Sequence, residues 1–368
     1  NGELYNPYDS QEAIYESFFK ELDDAITVLY DFYQKDSSAK VLENYDFVYG
    51  GNVESWIRFA NTLKLRLAMR IVYANEAKAK QMAVEAVSHP IGVMTKTTDI
   101  ARLQHDNDFS YRHPLFVVGT GEFNDARMGA TMDSYLNGYS DPRISAYFRL
   151  SNEGKYTGIR TGIEMNRDKY ALEAPFSDLN TEANDELVWM NPAEAFFLRA
   201  EGAARGWDMQ GEAGSLYEQG VRASFEYLGV SGVDAYLSDE TSKPAPYTDP
   251  ANSGNSVDEN SPLLGTITIK WNEEAGFEEK LERIITQKWI AIYPDGQEAW
   301  SEFRRTGYPK IFPVVINNSG GTIKTDVQVR RIPFPSTEYR DNAGNMGQAV
   351  SLLGGEDNGG TRLWWDKK

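Results

Sequence analysis

A chain of 368 residues that is 41% hydrophobic and 25% charged has the balance of a globular protein, and no apolar run approaches the ~18 residues of a membrane-spanning helix. Its 37 basic and 55 acidic residues leave a formal charge of −18, which repels phosphate backbones and anionic lipid and argues against nucleic acid or direct lipid docking. Cysteine is absent, which removes disulfides, thiolate metal sites and cysteine nucleophiles.

The chain starts at Asn1-Gly2-Glu3 with no basic-then-apolar leader, and reads as a processed or truncated product. Tyr8-Asp9-Ser10 offers an N-cap for a helix with Ile14, Phe18, Leu22, Ala25, Ile26, Leu29 and Tyr33 on one stripe. Residues 37–51 form a polar connection. WIRFANTLKLRLAMRIVYA predicts a second helix, with Trp56, Ala60, Leu63, Leu67 and Ile71 facing one way and Arg58, Arg66 and Arg70 interleaved. An Ala-rich third helix over 76–88 stops at His89-Pro90, making a hairpin.

Between about 100 and 170 the periodicity disappears, and Gly, Asn, Asp, Arg and aromatics dominate around one short helix near 127–136. A segment of this length without regular pattern predicts a binding surface or an ordered excursion. Asn191-Pro192 restarts helical structure, and two helices with a narrow Ala/Gly contact face resemble a tetratricopeptide-like unit. Residues 239–262, rich in Ser, Pro, Asn, Gly and Thr, predict a mobile loop. Residues 267–271 alternate like a short strand, and helix resumes at Glu273. ERIITQKWIAIYPDGQEAWSEFRRTGYP then gives a stripe of Leu281, Ile284, Ile285, Lys288 (by its stem), Trp289 and Ile292. A break at Pro294-Asp295-Gly296 and a second helix around Trp300 and Phe303 follow.

No catalytic constellation emerges. HDNDFSYRH, with His105 and His113 flanking Asp106 and Asp108, lacks helical ligand spacing and reads as a hydrogen-bonded loop before it reads as a cation site. There is no GxGxxG, no GxxxxGK and no GxSxG, and no cofactor is implied. Glu201 and Glu282 lie near apolar faces and are expected to pair with arginines such as Arg58, Arg66, Arg70 or Arg305. Trp56, Trp289 and Trp300 fall on helical stripes and are assigned to the core. Phe109, Tyr111, Phe116, Phe123 and Tyr156 lie instead in polar, Gly-rich context beside Asn107 and Arg112. Flat aromatic faces next to such groups suit pyranose rings, whose C–H bonds stack while hydroxyls take hydrogen bonds. These seven residues are the candidate ligand site.

Several stretches together resemble the SusD/RagB family of Bacteroidetes outer-membrane nutrient-binding lipoproteins, in its SusD-like branch. They are YDSQEAIYESFFKELDDAI, WIRFANTLKLRLAMRI, DPRISAYF with YTGIRTGI, PAEAFFLRAEGAARGW, IITQKWIAIY, EAWSEFRRTGYP, and RIPFPSTEYRDNAGNM with LWWD. They run in the family's order from about Tyr8 to the end. The resemblance implies an all-α fold of tetratricopeptide-like hairpins, one domain over 1–368. Its helical scaffold would occupy 8–90, 191–230 and 273–309, with an irregular ligand-facing region at 100–190 and the loop 239–262. It also implies a surface lipoprotein of the outer membrane that captures glycans or other oligomeric nutrients for a TonB-dependent SusC-like transporter, without catalysis. Family members begin with a lipidated Cys and a further helical section, which this sequence lacks, so the membrane link would be an N-terminal anchor outside this chain. The founding member's starch-binding residues match no motif here and none is carried over. A peptide-binding relative and a structural lid without its own ligand site are the alternatives. A glycosidase lacks an identifiable acid/base pair.

Overall fold

The computed structural model describes residues 5–105, 109–166, 168–172 and 175–368. Ser10 accepts the Ala13 N–H at 3.1 Å and opens α1, Gln11–Lys35. Asn52 caps α2, Val53–Arg70, and Asn75 caps α3, Glu76–Ser88, in the same way. Strand β1, Ala101–Leu103, follows. The single turn α4, Pro114–Phe116, runs into a wider π-type turn at Val117–Gly121. Then come α5, Ala130–Gly138, and α6, Ile144–Tyr147. Strand β2, Leu187–Met190, pairs antiparallel with β1 and leads into α7, Pro192–Ala204, and α8, Ala213–Leu228. After α9, Val233–Ser238, come α10, Phe277–Ala291, and α11, Gly296–Thr306. The chain ends through α12, Ser336–Asp341, and α13, Ala343–Leu353.

The architecture is all-α, built on tetratricopeptide-like hairpins, with α2 against α3 and α7 against α8. The second hairpin closes tightly because Gly220 has no side chain: a Cβ there would lie 2.8 Å from the Phe197 ring. One large core gathers α2, α3, α5, α7, α8 and α10, and a small second cluster of Ile26, Val53, Ile57 and Ala60 joins α1 to α2. Below the apolar core lies a buried ionic hub. Arg70 meets both carboxylate oxygens of Glu298 at 2.7 Å, and Lys288 reaches Glu298 at 2.9 Å. Arg305 holds Glu201 at 2.6 and 2.7 Å and Glu302 at 2.6 Å, while Arg66 donates to Glu194 at 2.7 Å. The hub ties α2, α7, α10 and α11 together with cations facing anions, which is what allows charges to stay buried.

Several expectations need correction. On α1 the buried side chains are Phe19 and Ile26, whereas Ile14 is 36% and Phe18 42% exposed. Residues 267–271 form no strand: Ile267 and Ile269 are buried, but no neighbouring edge pairs with them among the described residues. Trp56 and Trp300 are half-buried and outside the core, whereas Trp289, also half-buried, packs against the main core. Trp56 turns its N–H to Asp46 at 2.7 Å and Trp300 turns its own to the Val329 carbonyl at 3.0 Å. The loop over 239–262 is tethered rather than free, since Tyr247 pairs with Val257 and Asp249 receives the Tyr170 hydroxyl at 2.9 Å. Lys288 contributes its ammonium to the hub as well as its stem. Glu201 does pair with Arg305, but among the described residues Glu282 forms no ion pair with an arginine, and one of its carboxylate oxygens is buried with no hydrogen-bond partner. Six residues before Lys288, it lies about 240° around the helix from the hub.

Candidate functional site

The connection between α1 and α2, which carries no periodic pattern, folds around one carboxylate. Asp46 accepts the backbone N–H groups of Val48 at 3.0 Å, Tyr49 at 3.1 Å and Gly51 at 2.8 Å, and the Trp56 indole N–H at 2.7 Å. Burial works to raise its pKa, but these donors outweigh burial and hold the carboxyl below its usual range. Gly51 has φ +77°, and a Cβ there would sit 2.7 Å from the Val41 carbonyl oxygen, so only glycine closes this turn. The Tyr49 hydroxyl then donates to the Asp99 carbonyl at 2.9 Å, fastening the turn to the segment that enters β1.

Between this turn and β1 lies an open groove of about 690 Å³, lined by Asn44, Phe47, Asn52, Arg102, Gln104 and His105 among others. The aromatic side chains that line it are Phe47, Tyr49 and His105, and two of them stack on rings behind them. Phe47 stacks on Phe109 with centroids 4.6 Å apart and planes 20° from parallel, and His105 stacks on Tyr111 at 4.0 Å. Phe109 and Tyr111 join the two stacks at 5.9 Å. Tyr45, on the same turn as Phe47, is 79% exposed. Arg102 and Gln104 both bond Glu186, at 2.7 and 2.9 Å, which sets their side chains along the groove edge. The His105 Nε2 is buried without a hydrogen-bond partner, an unspent polar valence beside an aromatic face.

The seven candidate residues divide among several places. Phe109 and Tyr111 stand together against Phe47 and His105, which line the groove, without lining it themselves. The Tyr111 hydroxyl lies 2.7 Å from the Leu103 carbonyl and 3.1 Å from the Asp185 carbonyl, and accepts the Leu187 N–H at 2.9 Å. That hydroxyl clamps the strand pair, while the ring itself stacks on His105. Arg112 and Phe116 form a separate group: the guanidinium lies 5.4 Å from the ring centroid and pairs with Glu122. Phe123, 60% exposed, follows on the same π-type turn. Tyr156 packs partly buried against the main core, and its carbonyl accepts from Asn137 at 3.0 Å. Asn107 lies outside the described residues, as do Asp106 and Asp108 of the weighed cation motif. Among the described residues no three His, Asp or Glu side chains converge as metal ligands do.

Asn44, Phe47, Arg102 and Gln104 went unnoticed in the sequence reading. The aromatic density of Tyr45-Asp46-Phe47-Val48-Tyr49 was the signal available. Among the described residues no helix is long and apolar enough to cross a membrane.

A family model described as SusD-like, SusD and RagB outer membrane lipoprotein, matches residues 1–366. The fold is similar to a chitin-binding SusD homologue from Flavobacterium johnsoniae at 45% identity and a TM-score of 0.93, covering 100% of this chain and 75% of that one. It is similar to a SusD homologue from Bacteroides uniformis at 46% identity and a TM-score of 0.92, with the same 100% and 75% coverage. A SusD-like protein from Bacteroides thetaiotaomicron matches at 40% identity and a TM-score of 0.91, again over 100% and 75%. Comparison with curated proteins finds no match. The motifs quoted above, the hairpin fold and a family match over nearly every residue agree, and the chain belongs to the SusD/RagB family.

Proposed function

We propose that this protein binds glycan chains at the groove between the 43–52 turn and β1, at the cell surface, and delivers them to a TonB-dependent SusC-like transporter. The observation that carries the reading is the pair of aromatic stacks, Phe47 on Phe109 and His105 on Tyr111, whose members Phe47 and His105 line a polar groove. Sugar C–H faces pack on such rings while hydroxyl or acetamido groups take the hydrogen bonds offered by Asn44 and Gln104. The likeness to a chitin-binding relative favours N-acetylated sugars as the first class to try.

Capture without chemistry fits the carboxylates present. Asp46 spends its oxygens on four donors and Glu186 is occupied by Arg102 and Gln104, so among the described residues Glu43, which lines the groove, has no second free carboxylate beside it to make an acid/base pair. The test is calorimetric titration with chito-oligosaccharides, followed by chromatography of the mixture after long incubation. Binding that weakens by ~1–2 kcal/mol in Phe47→Ala supports the site. Shorter oligosaccharides in the incubated mixture would overturn the binding-only reading. Affinity for peptides with none for glycans would move the protein to an oligopeptide role.

A further inference from the structure

A second cavity, of about 340 Å³, is lined by Arg127, the start of α5, Arg160, Trp289, Tyr293 and Phe312. Arg160 is only 7% exposed. Its Nη1 donates to the Asn255 carbonyl at 3.0 Å and, more weakly, to that of Ser256 at 3.5 Å; its Nη2 donates to Pro313 at 3.2 Å. Its Nε is buried and bonded to nothing. Burial lowers its pKa, and the one charge influence on it is the Tyr247 hydroxyl, with no carboxylate contributing. Arg304 is equally buried and also lacks a direct carboxylate, yet its Nε, Nη1 and Nη2 are all bonded. Arg160 is therefore a buried cation with one donor unspent and no counter-ion among the described residues, a costly state unless something else supplies the anion.

The neighbours favour that anion. Helix α5 begins at this cavity with Gly129 as its N-cap and no side-chain cap; the Ala130 N–H is spent on the Ile159 carbonyl at 2.8 Å, and the rest of the first turn presents the positive end of the helix. Arg127, paired to Asp178 at 3.1 Å, adds a second guanidinium to the wall. Trp289 and Tyr293 supply flat faces, and Phe312 lies 5.7 Å from the Arg160 guanidinium. We propose that this cavity is a second ligand site, which takes an oxyanion, the carboxylate of a uronic acid or a sulfate ester on a sugar, against Arg160 and the N-terminus of α5. It is separate from the groove at Phe47 and stands without it.

The test is thermal shift and calorimetry with sodium sulfate, methyl glucuronide and methyl glucoside at matched ionic strength. Two variants go beside the wild type. Arg160→Gln removes the cation. Gly129→Asp puts a carboxylate at the N-cap, where a Cβ meets nothing within 4 Å and φ is −82°. Aspartate is a favoured N-cap, so this variant keeps the fold while filling the site from within. The expected result is binding of glucuronide or sulfate, none of glucoside, and at least about tenfold weaker anion binding in both variants. Glucuronide alone assigns the carboxylate and sulfate alone assigns the ester. No anion binding by wild type, equal binding of glucoside, or Gly129→Asp binding like wild type overturns the proposal. If Arg160→Gln fails to fold, Gly129→Asp decides. Chito-oligosaccharide titrations with Phe47→Ala report on the groove alone, so the two readings fail separately.

Discussion

Asp46 and Phe47 are adjacent in the chain, yet one shapes the groove and the other faces it. Asp46 holds three backbone amides and an indole, so Asp46→Ala leaves those donors unmatched and is expected to cost ~2–3 kcal/mol in urea unfolding. Phe47→Ala leaves that framework intact and is expected to change affinity far more than stability. The same division applies to Tyr111. Its hydroxyl joins Leu103, Asp185 and Leu187, so Tyr111→Phe is expected to lower stability by ~1–2 kcal/mol and leave glycan affinity unchanged. A Tyr111→Phe protein that unfolds like wild type but binds more weakly would instead put the hydroxyl on the ligand. Composition and context were enough to pick out Phe109 and Tyr111 as residues of interest. Phe47 escaped because its role depends on a ring 62 positions away, and no local pattern announces a contact of that range.

At the scale of elements, caps and breaks were legible because they are local. Ser10 and Asn191 each sit at a helix start and accept the N–H three residues on. Facing was less legible. Helix α1 carries two overlapping apolar stripes, one through Phe19, Leu22 and Ile26 and one through Ile14, Phe18 and Val28, and periodicity alone cannot choose between them. Packing against α2 selects the first. Residues 267–271 alternate correctly, but alternation makes a strand only where an edge is free to pair. The ionic hub is the element-scale device that the interleaved arginines of α2 foretold. Glu298 faces three of its cations, Arg70, Lys288 and Arg66. Glu298→Gln leaves buried cations short of a partner and is expected to cost ~3–5 kcal/mol by denaturant melts. Asp24→Asn, which breaks the exposed pair with Lys20, is expected to leave the melt unchanged. Equal effects from the two substitutions would remove the hub from the account of stability.

For the whole molecule the hub sets how stability depends on pH. Burial alone would raise the pKa of Glu201, but Arg305 and Arg205 outweigh it and bring it down to about 2. Against the same burial, Arg70, Lys288 and Arg66 hold Glu298 well below its ordinary value, and Arg305 with Lys288 lowers Glu302. An acid depressed in the folded state contributes stability that is fully present above its unfolded pKa, about 4.3, and lost as pH falls toward the folded value. Glu282, Asp133 and Asp295 run the other way: burial raises each of them, so protonating these three on mild acidification favours the fold. The two groups titrate in different windows, the raised acids above the ordinary carboxylate range and the hub below it. The melting temperature is therefore expected to hold level or rise slightly from pH 7 to about 5, then fall steeply between about pH 4 and 2. Glu201→Gln should flatten that acid limb from a lower starting stability, because one of the depressed carboxylates no longer titrates. A wild-type melting temperature at pH 3 equal to that at pH 7 would mean that the buried carboxylates are not held charged by their arginines.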